Sequence, residues 1–294
     1  MGVIIIQIRR PLLIILMFVV AISFIITNNT KNDEELNDKI ITIQGVVKGK
    51  IEKKRYNQYK VGVFLINDYT KNKNLKIGQK VNITGKFKSL DKMKYDDFDY
   101  GRYIKSTGYK GIVYINNYKI IDKNKLYSLI GEIKFYISKT YRYLYKKNSD
   151  FINSILLAEV ENLTEEQKEI FTRTGTSHVI SISGLHTGIL CVIISFLLRG
   201  INKLYKLLIL SIFITLYCIM VGASPSIIRS IAFVMIFYLS IFIDRKKDGI
   251  SALSLIGIIL IMNNPYVIYN VSFQLSFLAT LSILIFYNKI NSII

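Results

Sequence analysis

Pro11-Leu-Leu-Ile-Ile-Leu-Met-Phe-Val-Val-Ala-Ile-Ser-Phe-Ile-Ile-Thr-Asn-Asn-Thr30 runs without a charge and follows directly on Arg9 and Arg10. Crossing the hydrocarbon of a bilayer as a helix takes about 20 mainly apolar residues, and this stretch has that length. A cleaved signal peptide has a shorter apolar centre closed by small residues, whereas Asn28, Asn29 and Thr30 close a long Ile-rich core here. An uncleaved anchor over residues 1–30 is expected.

Further along, His178–Leu198, Leu207–Val221, Ile227–Ile243, Ile250–Met262 and Pro265–Asn288 repeat the pattern, with Ile250–Met262 short enough for a tilted or broken helix. Basic residues fall at every second junction: Arg9/Arg10, Arg199/Lys203/Lys206, Arg245/Lys246/Lys247 and Lys289. Ala223–Ser226 and Asn263–Pro265 carry no charge. Positive residues stay on the cytoplasmic side, so all six runs agree on a cytoplasmic N-terminus with residues 28 to about 175 outside. The fold class expected is an integral membrane protein: a polytopic α-helical bundle with an N-terminal anchor helix and an inserted external β-domain.

Composition agrees. Hydrophobic residues make up 51% of the 294 and charged ones 20%, and the apolar excess is confined to the first 30 residues and those after about 176. That excludes a disordered chain, a collagen, a disulfide scaffold and an ordinary soluble globule. Net charge is +19. Such a balance suits nucleic acid, anionic lipid or positive-inside loops, although the abundance of Lys, Ile, Asn and Tyr without Trp also fits an AT-rich genome. Cys191 and Cys218 both sit in apolar runs, which implies neither a disulfide framework nor a metal site, and no cofactor is expected.

Within the external segment, Ile40–Val47, Tyr59–Ile66, Lys80–Phe87 and Gly111–Ile115 read as strands separated by Gly, Asn, Asp and Lys. Lys76-Ile-Gly-Gln-Lys-Val-Asn-Ile-Thr-Gly-Lys-Phe87 suits one strand of a small barrel, with Gly78 and Gly85 at its bends. A five-stranded OB-like barrel over residues 31–122 is the natural candidate. Across 123–175, Leu126, Leu129, Ile130, Ile133, Ile137, Tyr141 and Leu144 recur at helical spacing opposite Lys134, Lys139, Arg142, Lys146 and Lys147, the pattern of a helix lying on an anionic membrane surface. Thr164 and Gln167 form a capping box for a short helix that Gly175 can end. Residues 176–294 would hold about five spans.

Four stretches carry a resemblance. Phe171-Thr-Arg-Thr-Gly-Thr-Ser-His-Val-Ile-Ser-Ile-Ser-Gly-Leu-His-Thr-Gly-Ile-Leu190, Val221-Gly-Ala-Ser-Pro-Ser-Ile-Ile-Arg-Ser230, and Asn264-Pro-Tyr266 with Ser272-Phe-Gln-Leu-Ser-Phe-Leu-Ala279 follow in order after Asp97-Phe-Asp-Tyr-Gly-Arg-Tyr-Ile104 and Gly108-Tyr-Lys-Gly111. Together they resemble the ComEC competence-protein family. The resemblance implies a plasma-membrane channel that imports single-stranded DNA during natural transformation. By the same resemblance its partners are an external DNA-receptor protein and a cytoplasmic helicase-like motor, with homo-oligomerisation left open. Longer members carry more membrane helices and an external metallo-β-lactamase-like domain with a histidine-rich motif. Residues 1–294 hold only His178 and His186, outside any such motif, so no catalytic residue is expected. Where the family implies a Gly-Asp pair, this chain has Ala158-Glu159.

Ser181, Ser183, Gly184, His186 and Gly188 crowd one membrane segment. Two readings stand side by side: helices approach across Gly184-x-x-x-Gly188 while the serines bond their own backbone, or the small residues thin the wall of a wet cavity that Ser and His line. Arg229 either snorkels to the outer interface or meets phosphate, Gln274 either bonds a neighbouring helix or lines the path, and His178 sits near the outer boundary. Outside, Lys53-Lys54-Arg55-Tyr56 and Tyr59-Lys60 interleave cations with rings, as single-strand binders do and as a solvated Lys-rich loop also would.

Among other functions, an intramembrane serine protease would use Ser183 and His186. Rhomboid-type proteases take their histidine from another helix, whereas residues three apart on one helix do not readily point their reactive atoms at each other, and no second histidine stands at that depth. A small-solute transporter is the remaining alternative. No G-x-x-x-x-G-K-[ST] loop occurs, so any driving force is supplied elsewhere.

Overall fold

The computed structural model describes residues 10–30, 34–53, 55–71, 74–91, 93–95, 98–176, 184–222, 227–228, 231–232, 235 and 248–291. The uncharged opening run forms α1 (Pro11–Asn29), with Pro at its first position, where no amide partner is lost. Thr27 and Thr30 turn their hydroxyls back onto the carbonyls of Ser23 and Ile26, each at 2.7 Å.

After a 3₁₀ turn at Glu34–Leu36 the chain enters a barrel of β1 (Ile40–Glu52), β2 (Asn57–Val61), β3 (Phe64–Asp68), β4 (Gln79–Ser89) and β5 (Gly111–Lys123). Neighbours run β1-β2-β3-β5-β4 and close on themselves. Closure comes from Ile40–Val46 of β1 pairing with Val81–Lys86 and Lys80 of β4, and from the one parallel ladder, Phe64↔Gly111 to Asn67↔Tyr114. A closed barrel leaves no unpaired edge, and its alternate side chains fill the middle. Val47, Tyr59, Val61, Ile66, Val81, Ile83, Phe87 and Val113 form that core.

The expected single strand Tyr59–Ile66 is in fact the hairpin of β2 and β3. Gly62, at φ +58°, reverses the chain between Val61 and its partner Phe64. A two-residue hairpin needs positive φ, which glycine takes without strain. Gly85 sits at a bulge facing β5, where a Cβ would strike the Tyr114 carbonyl.

Between β4 and β5 a two-residue strand pair (Lys94–Tyr95 with Phe98–Asp99) leads into α2 (Tyr100–Ser106), capped by Asp99, whose carboxylate accepts from the Arg102 amide at 2.8 Å. Its Ile104 joins Leu65, Leu90, Met93 and Ile112 in a second small core.

The periodic segment is α3 (Lys125–Tyr145), capped by Asn124. Only Ile130 and Ser138 of it are buried. Leu126, Leu129, Ile133 and Leu144 of its apolar stripe stay exposed. Lys134, expected in water opposite that stripe, is half-buried instead, because α4 (Ser149–Leu157) and the turn at Val160–Asn162 fold back over α3 and bring Glu159 and Glu161 near it. Burial pushes its ammonium below the usual value, and the two carboxylates oppose that shift.

Then come α5 (Glu165–Arg173), with the Thr164–Gln167 capping box formed, α6 (Gly184–Leu197), α7 (Lys203–Val221), α8 (Gly249–Asn263) and α9 (Val271–Asn291). By length and composition α1 and α7, 19 residues each, could cross a membrane, and α6, α8 and α9 contribute shorter apolar stretches. Most of the run Ile227–Ile243 lies outside the described residues. The run from Pro265 is not one helix. Pro265–Tyr269 is a 3₁₀ turn, and α9 starts only at Val271. α1 and α8 run side by side in the same direction, with Arg10 on Asp248 at 3.4 Å where both begin. Gly257 gives the closeness: a Cβ there would stand 2.9 Å from Leu16 and 3.1 Å from Phe277.

Helix α4 ends on Ala158 at φ 58°, the left-handed position that favours glycine. An L-residue there costs about 1–2 kcal/mol, part of which glycine returns through its freer unfolded chain. Ala158→Gly should therefore raise the thermal midpoint of the detergent-solubilised chain, by roughly 0.5–1 kcal/mol in stability. A lower midpoint would mean that Ala158 contributes more by packing beside Tyr217 and Val221 than it loses in strain.

Candidate functional site

The barrel meets the helices at the end of α2, as it also does where α3 packs on Ile77 and Gly78. Asn264 accepts the Tyr266 amide at 3.1 Å, which starts the 3₁₀ turn, and gives its own amide hydrogens to the carbonyls of Lys105 (2.9 Å) and Ser106 (3.3 Å) at the end of α2. The last carbonyls of a helix have no partner within it. Asn270, at the other end of the turn, caps α9 by accepting the Phe273 amide and donates to the Ser106 hydroxyl, both at 3.1 Å. Above them the Arg102 guanidinium lies 4.5 Å over the Tyr269 ring, and the Lys105 ammonium, 2.5 Å from Asp91, lies 5.1 Å over Tyr266. The same two tyrosines hold the end of α1: Tyr269 shares a hydrogen bond with Thr27 at 2.9 Å and Tyr266 one with Thr30 at 3.1 Å. This joint stands at the opposite end of α1 from the Arg10–Asp248 pair.

Of the residues expected to line a path, Ser181, Ser183 and Arg229 lie outside the described residues, as does His178. Gly184 opens α6. Thr187 and Cys191 are buried on that helix, Cys191 against Leu210 and Ile214 of α7, with His186 half-buried beside them. Among the described residues nothing comes within 4 Å of a Cβ built on Gly188. Gln274 donates to the Ile268 carbonyl at 2.7 Å, satisfying a backbone group of the 3₁₀ turn.

On the barrel, Lys53 and Tyr56 stand together: the backbone closes a turn from the Lys53 amide to the Tyr56 carbonyl (3.0 Å), and the ammonium lies 5.0 Å over the Tyr56 ring while reaching its hydroxyl at 3.0 Å. Arg55 is exposed, and Lys54 lies outside the described residues. One expectation is corrected. Tyr59 is wholly inside the barrel and has no face to offer a base, because strand alternation turns it to the same side as Val61. Lys60 points outward but is half-buried, its ammonium pushed down by burial and held up by Glu161.

What sequence reasoning missed is Tyr69. The residue is 55% exposed, and its ring lies tilted against Tyr56 (4.8 Å, 32°) and Tyr114 of β5 (5.9 Å, 37°). Asp68 fixes the local turn by accepting the amide (3.1 Å) and hydroxyl (2.6 Å) of Thr70. The rule that singled out Lys53–Tyr56, a ring among cations at a strand end, also describes Tyr69-Thr-Lys71.

Comparison with known proteins bears on the helical half. Residues 155–293 match the family described as Competence protein. Through these residues, just under half of the chain, it is similar to competence proteins. ComE operon protein 3 of Bacillus subtilis (strain 168) is 26% identical over 165 residues, 55% of this chain and 21% of that protein. An uncharacterized protein of Aquifex aeolicus (strain VF5) is 30% identical over 125 residues, 42% of this chain and 30% of that one. The chain thus spans about a fifth to a third of the length of these relatives. A solved aspartyl tRNA synthetase from Entamoeba histolytica aligns with 58% of this chain and 37% of its own at 11% identity, with a TM-score of 0.23 that carries no weight for the fold. The competence region contains the whole turn Asn264–Asn270, and the barrel supplies the other side of the joint.

Lys60 has a folded pKa below its unfolded one, so the fold disfavours its charge, and stability rises as pH climbs through the folded value toward the usual lysine range. Lys60→Met should remove that pH dependence and leave the thermal midpoint at pH 7 equal or higher. A midpoint lower by several degrees would show that pairing with Glu161 outweighs the burial cost.

Proposed function

We propose that the chain is the entry part of a plasma-membrane channel importing single-stranded DNA during natural transformation. The barrel, OB-like in its five closed strands, stands outside, and the strand passes between helices lined by Ser181, Ser183, Gly184, His186, Arg229 and Gln274. The observation that carries this is the joint: a competence-family turn seats a basic, ring-bearing barrel on one end of apolar helices.

Charge supports the orientation. Arg10 and Asp248, next to Arg9 and Arg245–Lys247 in sequence, mark the other end, and positive residues remain in the cytoplasm. The exposed Leu126, Leu129 and Ile133 of α3, with Lys125, Lys139 and Arg142 along it, suit a helix resting on anionic lipid beside the barrel. Polar and cationic lining would replace phosphate hydration at depth, where an ionisable group normally faces water or a partner. An external receptor would deliver the strand and a cytoplasmic motor would pull it; the chain itself acts as a conduit, not an enzyme.

The test places residues 1–294 in a chimaera, replacing the corresponding region of a longer relative, in a strain lacking its own competence protein. His186→Leu with Ser183→Ala should keep membrane abundance and lose at least tenfold in transformation. Normal uptake at normal abundance would make this segment scaffold and contradict the path.

A further inference from the structure

We infer that Tyr56, Tyr69 and Tyr114 form a base-stacking strip for single-stranded nucleic acid, with Lys53 at its end to meet the phosphate backbone. The inference rests on the reading that the barrel meets incoming DNA, and it assigns where. Tyr69 is the centre. Its ring lies against those of Tyr56 and Tyr114 and its backbone is fixed by the Asp68–Thr70 turn, yet more than half of the residue faces solvent.

A large ring kept in place and wet has no role in the core. It is ordered before any ligand arrives, so little conformational freedom is lost when a base docks on it. Tyr114 ties the strip down, packing against the small core of Leu65, Leu90 and Met93. Lys53 over Tyr56, with exposed Arg55 two residues on, puts cations beside the rings, the combination that holds a single strand without reading its sequence. A duplex keeps its base faces stacked on one another, so the strip discriminates by strandedness.

The experiment measures anisotropy of a labelled mixed-sequence oligonucleotide with the full chain in nanodiscs of zwitterionic lipid. Tyr69→Leu should weaken single-strand binding roughly 5- to 150-fold with an unchanged salt slope. Tyr69→Phe should restore it, which separates lost stacking from a folding defect. Lys53→Gln should instead flatten the log–log salt slope by about 0.7, one phosphate's worth. Equal binding by wild type and Tyr69→Leu, equal affinity for a duplex of the same sequence, no single-strand binding at low salt, or a neutral glucan bound with the same dependence on Tyr69 would each overturn the assignment. The channel reading fails by a different measurement, uptake by the His186 chimaera, so either can fall without the other.

Discussion

The joint between the barrel and the apolar helices turns on the end of a seven-residue helix. The carbonyls of Lys105, which also accepts the Gly108 amide, and Ser106 finish α2, and the Asn264 amide donates to both from a turn 159 residues beyond Lys105. A short helix end left bare in a half-buried place would cost a hydrogen bond or more. Asn264 removes that cost while shaping its own turn, and Asn270 does the same at the far side with Ser106. The two asparagines thus act twice, as caps for the bundle and as donors to the barrel. Tyr266 and Tyr269, the rings between them, face α2 cations with their π surfaces and reach threonines of α1 with their hydroxyls.

Three parts of the chain remote in sequence are thereby gathered at one end of the α1–α8 pair. Apolar helices in lipid gain little from hydrophobic contact with each other and associate through close packing and polar bonds. Gly257 supplies the first and the Thr–Tyr bonds the second. The barrel, in contrast, is held by an ordinary apolar core and by closure, so it presents a finished surface to water.

Much of this was legible in the sequence where the determinant is local. The charge-free run Pro11–Thr30, the helical stripe of α3 and the Thr164–Gln167 box each depend on neighbours a few residues away, and each forms within a residue or two of its expected bounds. Tyr59 was misassigned because a cation-and-ring pattern looks the same whether a strand turns its ring in or out. Only the register, set by the Gly62 hairpin, decides. The joint could not be read at all. Two of the stretches that carry the family resemblance, Asp97–Ile104 and Asn264–Tyr266, lead into the joint, where Asn264 meets the carbonyls of Lys105 and Ser106, but nothing in either encodes the other's position. Tyr69 was hidden for a similar reason, since its partners come from a loop and a strand on either side of it.

The claim on which the account stands is that the Asn264–Asn270 turn and α2 bear on each other energetically. A double-mutant cycle tests it directly, with the unfolding free energy of the detergent-solubilised chain measured for Ser106→Ala, Asn270→Ala and the pair. Both side chains are buried, at 1% and 4% exposure, so their bond should show as a coupling of about 1 kcal/mol beyond the sum of the single changes. Additivity within about 0.3 kcal/mol would contradict it, leaving barrel and helices as neighbours that share a chain.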